Sequence, residues 1–205
     1  MIIEEPRKPA RTTTEEKILE VARKQFLNKG YTATKTRDIA SLAGINLALM
    51  NYYFRSKENL FEIIMSEKID ELFTGVLPVL NDTQTSLEEK LVLLSEHYTD
   101  MLLRSPGLPI FVLNEIQKNP ERFGRQIRFK TEVMRSEYIR QLAEADPNNE
   151  PVSHLITYLG MLIFPFFMKP VMQATGALRE DGFSAMVLTR KQLAPIWMKN
   201  IIGIS

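Results

Sequence analysis

The chain has 205 residues, a formal net charge of +1 and no cysteine. The lack of cysteine excludes disulfide bridges and thiolate metal sites and agrees with a reducing compartment, so we expect a cytoplasmic protein. Met1 to Ile3 are followed at once by Glu4 and Glu5, which leaves no apolar run of the length that a signal peptide needs.

The amino-terminal end is more basic than the rest. Residues 1–60 carry 11 Lys and Arg against 7 Asp and Glu, whereas residues 61–205 carry 15 against 18. A basic end beside an acidic body suits a small domain that faces DNA. Residues 1–13 lack periodicity and contain Arg7, Lys8 and Arg11, so we expect a flexible arm. It is either a frayed terminus or a basic arm that approaches phosphates or a minor groove.

The first predicted helix begins at Thr14, which acidic residues follow, and ends at Gly30. Its apolar residues recur on one face: Ile18, Leu19, Ala22, Phe26, the expected anchor, and Leu27. We expect this face to pack against Ile39, Leu42 and Phe54 in a three-helix core.

The stretch from Thr34 to Lys57 has the spacing of a helix-turn-helix. The first short helix is predicted to begin near Thr34 or Thr36, whose hydroxyl can accept a hydrogen bond from a free amide. Its inner face comprises Ile39, Ala40 and Ala43. Gly44 is placed where a helix stops in the left-handed conformation, and Asn46 can cap a second short helix. Helices joined by glycine occur in other all-helical domains too, so the spacing alone leaves DNA binding open.

The second short helix carries side chains suited to DNA: Asn46, Leu47, Ala48, Asn51 and Tyr52. Asn offers a donor and an acceptor that match adenine N6 and N7, and Leu and Ala can touch a thymine methyl. Tyr53, Arg55 and Lys57 follow, where hydroxyl and cationic groups would meet phosphates. A surface for a protein partner would instead be expected to centre on buried apolar anchors.

These residues resemble the DNA-binding signature of the TetR family of transcriptional regulators. The resemblance lies in four runs: Arg37-Asp38-Ile39-Ala40, Ala43-Gly44-Ile45, Tyr53-Phe54 and Ser56-Lys57-Glu58-x-Leu60. It implies the following contacts: Thr36 and Arg37 face DNA, the positions of Asn46, Leu47, Ala48, Asn51 and Tyr52 enter the major groove, and Tyr53 and Lys57 hold phosphates. The family usually has Ser or Thr at position 46 and Tyr at position 51, so the two asparagines depart from its commonest contact pattern.

The rest of the chain shows helical apolar spacing and no strand-like alternation. The predicted helices are Glu58–Leu77, Leu87–Arg104, Leu108–Gln117, Pro120–Glu144, Val152–Met168 and Gly182–Ile202, with a loop at Pro78–Ser86. We therefore predict an all-α protein of about nine helices. A helix-turn-helix head in residues 1–56 is joined by a long helix to a larger bundle in residues 57–205.

Three of these helices allow further predictions. Leu108–Gln117 is expected to be a buried connecting helix. The outer face of Pro120–Glu144 carries Arg122, Arg125, Arg128 and Lys130, either a solvated face or a second surface for nucleic acid. The apolar part of Val152–Met168 is about 14 residues long, shorter than the ~20 of a membrane span, so we predict a core or dimer-interface helix and no membrane partner.

No pattern indicates catalysis. His97 and Asp100 share a helix face without a second ligand pair, and no phosphate loop or Gly-x-Ser-x-Gly turn occurs. We expect no enzyme activity, no cofactor and no metal. A helical protein-interaction module without DNA binding and a helical lipid-processing enzyme are the alternatives.

One recognition helix covers only a few base pairs, so we expect a homodimer on a near-palindromic operator, paired through the last two long helices. The resemblance also implies a repressor with an inducer site, for which we expect a mostly apolar small molecule. The candidate contacts are Tyr98, Met101, Phe111, Asn114, Glu115, Tyr158, Met161, Phe164 and Met168, with Phe167 and Met172 nearby. Met and Phe suit pliable apolar pockets, although the same stripe is also typical of ordinary core.

Overall fold

The computed structural model describes residues 12–118, 120–127 and 129–204, leaving out the side chains of Leu27, Asn28, Glu115, Lys118, Arg122, Gln126 and Lys130. Over these residues it contains helices and no strand, which confirms the all-α class. The elements are α1 (Thr13–Ala33), α2 (Thr36–Leu42), α3 (Leu47–Phe54), α4 (Lys57–Asn81), α5 (Leu87–Arg104), α6 (Leu108–Lys118), α7 (Pro120–Gln126), a π-helical turn (Phe129–Val133), α8 (Glu137–Ala145), α9 (Pro151–Ala174) and α10 (Glu180–Ile202). The predicted arm cations Arg7, Lys8 and Arg11 lie outside the described residues.

The chain forms two compact units, Met1–Ile64 and Met65–Ser205. The sequence places the boundary before Lys57, whereas the units divide within α4. Phe61 accounts for the difference, because its ring centroid lies 5.0 Å from that of Phe26 and 4.8 Å from that of Tyr31. The first turns of α4 therefore belong to the core of the amino-terminal unit.

Local signals set the limits of α1. The Thr12 hydroxyl accepts a hydrogen bond from the Glu15 amide at 3.2 Å, and the Glu15 carboxylate accepts one from the Thr12 amide at 3.1 Å. This reciprocal pair is a capping box. Gly30 adopts φ 77 and ψ 170 and interrupts the helical backbone, as its predicted role as a helix end requires.

The core of the amino-terminal unit differs from the prediction at Leu42. Phe26, Ile39 and Phe54 are buried as predicted, but Leu42 is 58% exposed. Successive helical residues are about 100° apart, which places Leu42 outside the arc shared by the buried residues of α2. Its assignment to the core is therefore wrong.

In the carboxy-terminal unit, α10 packs against α5 and α9, and α8 packs against α9. Hydrogen bonds connect α5 to α9 and α10. The Ser95 hydroxyl donates to the Lys191 carbonyl at 2.8 Å, and the Asp100 carboxylate lies 2.8 Å from the Lys191 ammonium. Tyr158 of α9 donates its hydroxyl hydrogen to the Leu91 carbonyl. These bonds fix the three helices around one apolar core.

The predicted helix Pro120–Glu144 is divided into α7, the π-helical turn and α8. Ser136 explains the new start, because its hydroxyl accepts a hydrogen bond from the Ile139 amide and donates one to the Val133 carbonyl. A serine at this position competes with helix continuation. This division gives ten α-helices over the described ranges, one more than predicted.

Helix α4 runs to Asn81, through Pro78, instead of ending at Leu77. Proline lacks the amide that would donate within the helix, and its ring crowds the carbonyl four residues earlier, which together cost about 3 kcal/mol. Burial of Leu80 offsets part of this cost, because burying a leucine side chain contributes about 1.5 to 3 kcal/mol.

A buried lysine holds the α4–α5 connection. The Lys90 ammonium is fully buried and donates to the Asp82 carbonyl and to the Gln141 side chain, the latter at 3.0 Å. Gln141 in turn donates to the Thr85 carbonyl at 3.0 Å. Burial lowers the pKa of Lys90, and the nearby carboxylate of Glu137 opposes the shift.

A carboxylate orders the α8–α9 connection. Asp146 accepts hydrogen bonds from the Asn149 side chain at 2.9 Å and from the Asn148 amide at 3.2 Å, and its carboxylate lies 3.0 Å from His154 Nε2. The Asn149 bond is the largest of several contributions that hold the pKa of Asp146 below its usual range.

Helix α9 is longer than predicted. It has 24 residues and, alone among the described helices, is long and apolar enough to cross a membrane by length and composition. The expectation that this segment is too short is therefore wrong. One face of α9 nevertheless packs in the core through Leu155, Tyr158 and Leu162. Core helices of soluble proteins meet the same criterion.

Candidate nucleic-acid interface and cavity

The turn between α2 and α3 forms as its sequence predicts. Gly44 adopts φ 68, the left-handed conformation that ends a helix. Its amide donates to the Ser41 carbonyl, and the Ile45 amide donates to the Ala40 carbonyl, both at 3.0 Å. These two bonds form a Schellman motif and fix the direction in which α3 begins.

The direction of α3 exposes its polar side. Met50 and Phe54 are buried one turn apart, whereas Ala48, Asn51 and Tyr52 face solvent, with Tyr52 79% exposed. An exposed amide and an exposed phenol beside small side chains can contact base edges in a major groove.

Asn46 is the N-cap of α3. Its side-chain oxygen accepts a hydrogen bond from the Leu49 amide at 2.8 Å, which leaves the side-chain NH2 group as a donor. Asn46 is exposed, and Leu47 is half-buried. The cap predicted from sequence is therefore confirmed.

The residues at the start of α2 differ from the prediction in one respect. Thr34 is buried and donates its hydroxyl hydrogen to the Gly30 carbonyl at 2.8 Å. Lys35, which makes no side-chain cap hydrogen bond, precedes the helix instead. Thr34 is not the cap, because its hydroxyl is used to hold the end of α1. Thr36 is half-buried in the first turn, and the next residue, Arg37, is exposed.

A tight turn joins α3 to α4. Arg55 has φ 61 and ψ −47 and is the only non-glycine residue with positive φ in the described part of the chain. The Ser56 amide donates to the Phe54 carbonyl at 2.6 Å, which makes Arg55 the centre of a strained γ-turn. Such strain often accompanies a functional site, and here it lies directly after Tyr52 and Tyr53.

Lys57, predicted to hold a phosphate, has partners within its own unit. Its ammonium donates to the Tyr31 and Thr34 carbonyls, each at 3.0 Å, and stands 4.2 Å from the centre of the Tyr31 ring. An ammonium has three donors, so one N–H is left beyond these two bonds. The role of Tyr31 was not predicted, and no local sequence pattern marks it.

The carboxy-terminal unit contains a cavity of about 500 Å³. Its walls come from α4, α5, α6, α7, the π-helical turn and the residues around it, and α9. The lining residues are Ile69, Leu72, Phe73, Val76, Leu80, Leu94, Tyr98, Met101, Leu102, Leu108, Pro109, Val112, Leu113, Ile116, Pro120, Phe123, Gly124, Ile127, Phe129, Val133, Leu155, Tyr158, Leu159, Leu162, Ile163 and Phe167. This size and apolar character are typical of small-molecule sites.

Several residues predicted around a ligand do line this cavity: Tyr98, Met101, Tyr158 and Phe167. Others do not: Phe111, Asn114, Met161, Phe164, Met168 and Met172. The side chain of Glu115 is outside the described part. The sequence did not predict that α4 contributes to the cavity, because the apolar stripe of α4 has the same pattern as that of an ordinary core helix.

The angular spacing of residues around a helix explains why two of these residues do not line the cavity. Phe164 lies two residues after the lining residue Leu162, about 200° around α9, and is 60% exposed. Asn114 lies two residues after the lining residue Val112 on α6 and is also exposed. Neither side chain therefore lines this cavity. Helix α6 is also only partly buried, because Ile110, Leu113 and Ile116 are exposed on one side.

Comparison with known proteins identifies the amino-terminal unit. Residues 18–64 match the family model described as bacterial regulatory proteins, tetR family, and this range contains the α2–turn–α3 geometry. The "Probable HTH-type transcriptional regulator YttP" of Bacillus subtilis is 29% identical over 167 residues, covering 78% of this chain and 80% of that protein. Residues 18–64 therefore belong to the tetR family of bacterial regulatory proteins.

Two further comparisons give a related regulator and a solved structure with the same fold. The HTH-type transcriptional repressor KstR2 of Mycolicibacterium smegmatis is 37% identical over 86 residues, covering 42% of this chain and 40% of that protein. A crystal structure of a TetR/AcrR-family transcriptional regulator from Thermobifida fusca has the same fold, with a TM-score of 0.65 and 23% identity, covering 90% of this chain and 97% of that one. Both relatives are named as HTH-type transcriptional regulators, and the solved structure shares the fold of this chain.

Proposed function

We propose that this chain is a TetR-family transcriptional regulator, a cytoplasmic repressor that binds a near-palindromic operator as a homodimer and leaves it when a mostly apolar small molecule binds. The observation that carries the proposal is the exposed polar face of α3 behind a fixed turn. Asn51 and Tyr52 project from this face while Met50 and Phe54 anchor it. A repressor is also what the name of the relative KstR2 states.

On this proposal the contacts to DNA divide into two kinds. Asn46, Leu47, Ala48, Asn51 and Tyr52 meet base edges, and Thr36, Arg37, Tyr53 and Lys57 meet the backbone. The exposed guanidinium of Arg37 forms no hydrogen bond or ion pair with any described residue, which leaves it available to a phosphate.

Exposed apolar side chains on α9 and α10 support the dimer. Six of them are exposed by about half or more: Ile156, Phe164, Val171, Leu188, Ile196 and Ile201. The two helices pack against each other, and exposed apolar side chains on neighbouring helices are typical of interaction sites. A two-fold pairing through the same patch on both copies would bury it.

The cavity supports the effector and the route by which it acts. Helix α4 lines the cavity through Ile69, Phe73 and Val76 and begins at Lys57, among the DNA-contacting residues. A ligand that displaces α4 would change the separation of the two recognition helices from the ~34 to 36 Å that successive major grooves require. A tenfold loss of operator affinity needs about 1.4 kcal/mol of coupling between the two sites.

The test begins with selection of the preferred DNA sequence from a random pool, followed by a panel of apolar small molecules. Binders found by thermal shift should lower operator affinity about tenfold or more, as that coupling requires. Phe167→Ala, in the cavity wall, should weaken these binders, whereas Ile110→Ala, outside the wall, should not. Binders that never change operator affinity would show that the repressor is not released in this way.

A further inference from the structure

The cavity wall has very few polar groups. Of its 26 lining residues, only Tyr98 and Tyr158 carry a polar side-chain atom, and no described lining residue is charged. An apolar ligand would therefore be oriented by one or two hydroxyl groups, because apolar contacts alone are not directional.

The two hydroxyl groups are not equivalent. Tyr158 already donates its hydrogen to the Leu91 carbonyl, so its oxygen can only accept from a ligand. The Tyr98 hydroxyl has no hydrogen-bond partner among the residues that the structure describes. Burial raises the pKa of Tyr98 well above its usual range, so this hydroxyl keeps its hydrogen. Tyr98 is thus the one described side chain of the wall with an unused donor.

We propose that the effector is a neutral, mostly apolar molecule with a hydrogen-bond acceptor, such as a ketone or an ester, that accepts from the Tyr98 hydroxyl. This inference rests on the proposed effector site and names the class of molecule that it takes. We expect a neutral acceptor because no described residue of the wall is a cation. A carboxylate would lose its contact with water and gain no opposite charge, and an unpaired charge is costly to bury. An acceptor on the ligand also satisfies the donor of Tyr98, which an unsubstituted hydrocarbon leaves unpaired.

Three probes of one carbon skeleton test the proposal on the full-length protein without DNA. Pentylbenzene has no polar group, valerophenone has one ketone, and phenylvalerate carries a carboxylate. Tyr98→Phe should lower the affinity for valerophenone about 3- to 10-fold, which corresponds to the loss of one neutral hydrogen bond. The same change should leave pentylbenzene binding unaltered. Phenylvalerate at neutral pH should bind wild type at least ~10-fold more weakly than valerophenone, since its charge must be desolvated.

Tyr138→Phe is the matched control. The Tyr138 hydroxyl is buried with no hydrogen-bond partner among the described residues, and Tyr138 does not line the cavity, so the variant should bind all three probes as wild type does. Two results would overturn the proposal. One is that Tyr98→Phe loses affinity equally for valerophenone and pentylbenzene, and the other is that wild type binds phenylvalerate more tightly than valerophenone. Operator release is measured separately. Tyr98-dependent binding without release contradicts only the proposed function, whereas failure of all three probes to bind contradicts the effector site itself and this inference with it.

Discussion

Asn46 combines a structural role with a proposed reading role, and two substitutions separate them. Asn46→Ala removes the oxygen that caps the Leu49 amide, so it should lower the free energy of unfolding by about 1 kcal/mol. Asn46→Ser keeps a capping oxygen and should retain stability while changing the preferred DNA sequence. Chemical denaturation and binding to a panel of operator variants measure the two effects. Unchanged sequence preference in Asn46→Ser would remove Asn46 from the base-reading residues.

Asn51 is expected to act on DNA alone. It is exposed and its side chain makes no hydrogen bond to the described residues. Asn51→Ala should therefore leave unfolding unchanged within about 0.5 kcal/mol. It should cost about 1 to 3 kcal/mol of affinity, mainly on the preferred sequence. Loss of affinity that is equal on all sequences would assign Asn51 to the phosphate backbone instead.

Lys57 should affect both stability and DNA binding. Lys57→Met keeps the apolar stem but removes the donor to the Tyr31 and Thr34 carbonyls. Because bonds from charged donors contribute about 1.5 to 3 kcal/mol each, we expect a clear loss of thermal stability. If the ammonium also meets a phosphate, the slope of log affinity against log salt falls by about 1.

The control for Lys57 is Lys24→Met. Lys24 forms an exposed ion pair with Glu20 at 2.8 Å, and exposed pairs contribute little. The control should change neither the stability nor the salt slope. A Lys57→Met protein that is destabilised with an unchanged slope would make Lys57 a purely structural residue.

At the scale of elements, the α8–α9 connection should make the stability of the folded state depend on pH. The pKa of Asp146 is lower in the folded state, chiefly through the Asn149 side chain, so the ionised carboxylate stabilises the fold above the unfolded pKa. That contribution is lost as the pH falls from about 4 through the folded pKa.

Asp146→Asn should therefore melt below wild type at about pH 7, and the difference in melting temperature should shrink as the pH falls below about 4 towards pH 3. Differential scanning calorimetry across this range measures the effect. Glu144→Gln is the control, because Glu144 is exposed and, among the residues the structure describes, pairs only with Arg140 on its own helix. An equal difference between Asp146→Asn and wild type at both pH values would exclude the carboxylate as its source.

The elements that sequence predicts well are those fixed by neighbouring residues. Gly44 and Asn46 end one helix and begin the next by bonds within a few positions, so the helix-turn-helix was predictable. The break before α8 was not, because Ser136 becomes a cap only when the chain bends at the π-helical turn. The exposure of Phe164 could not be predicted for another reason. Its helix is apolar on several faces, and composition does not tell which face meets the core.

At the scale of the whole molecule, the exposed apolar face of α9 and α10 predicts the assembly. Phe164→Asp should convert a homodimer into monomers, because it places a charge in the proposed apolar interface. Multi-angle light scattering at micromolar concentration measures the mass. Affinity for an operator with two half-sites should fall with it, since each copy then binds alone.

Val92→Asp serves as the control for the interface. Val92 is exposed to a similar extent but belongs to α5, outside the proposed patch, so this variant should remain dimeric. A wild-type protein that is monomeric under the same conditions would contradict the homodimer.

The fully buried ammonium of Lys90 provides an internal reporter of unfolding. Amine-reactive reagents modify lysines that they can reach, and Lys90 is held at 0% exposure by Asp82 and Gln141. Labelling of Lys90 therefore requires that the carboxy-terminal unit opens at least around the α4–α5 connection, while exposed lysines such as Lys24 react at once. The rate at which mass spectrometry detects acetylated Lys90 would then measure how often the folded unit opens, and ligands bound to that unit would slow it.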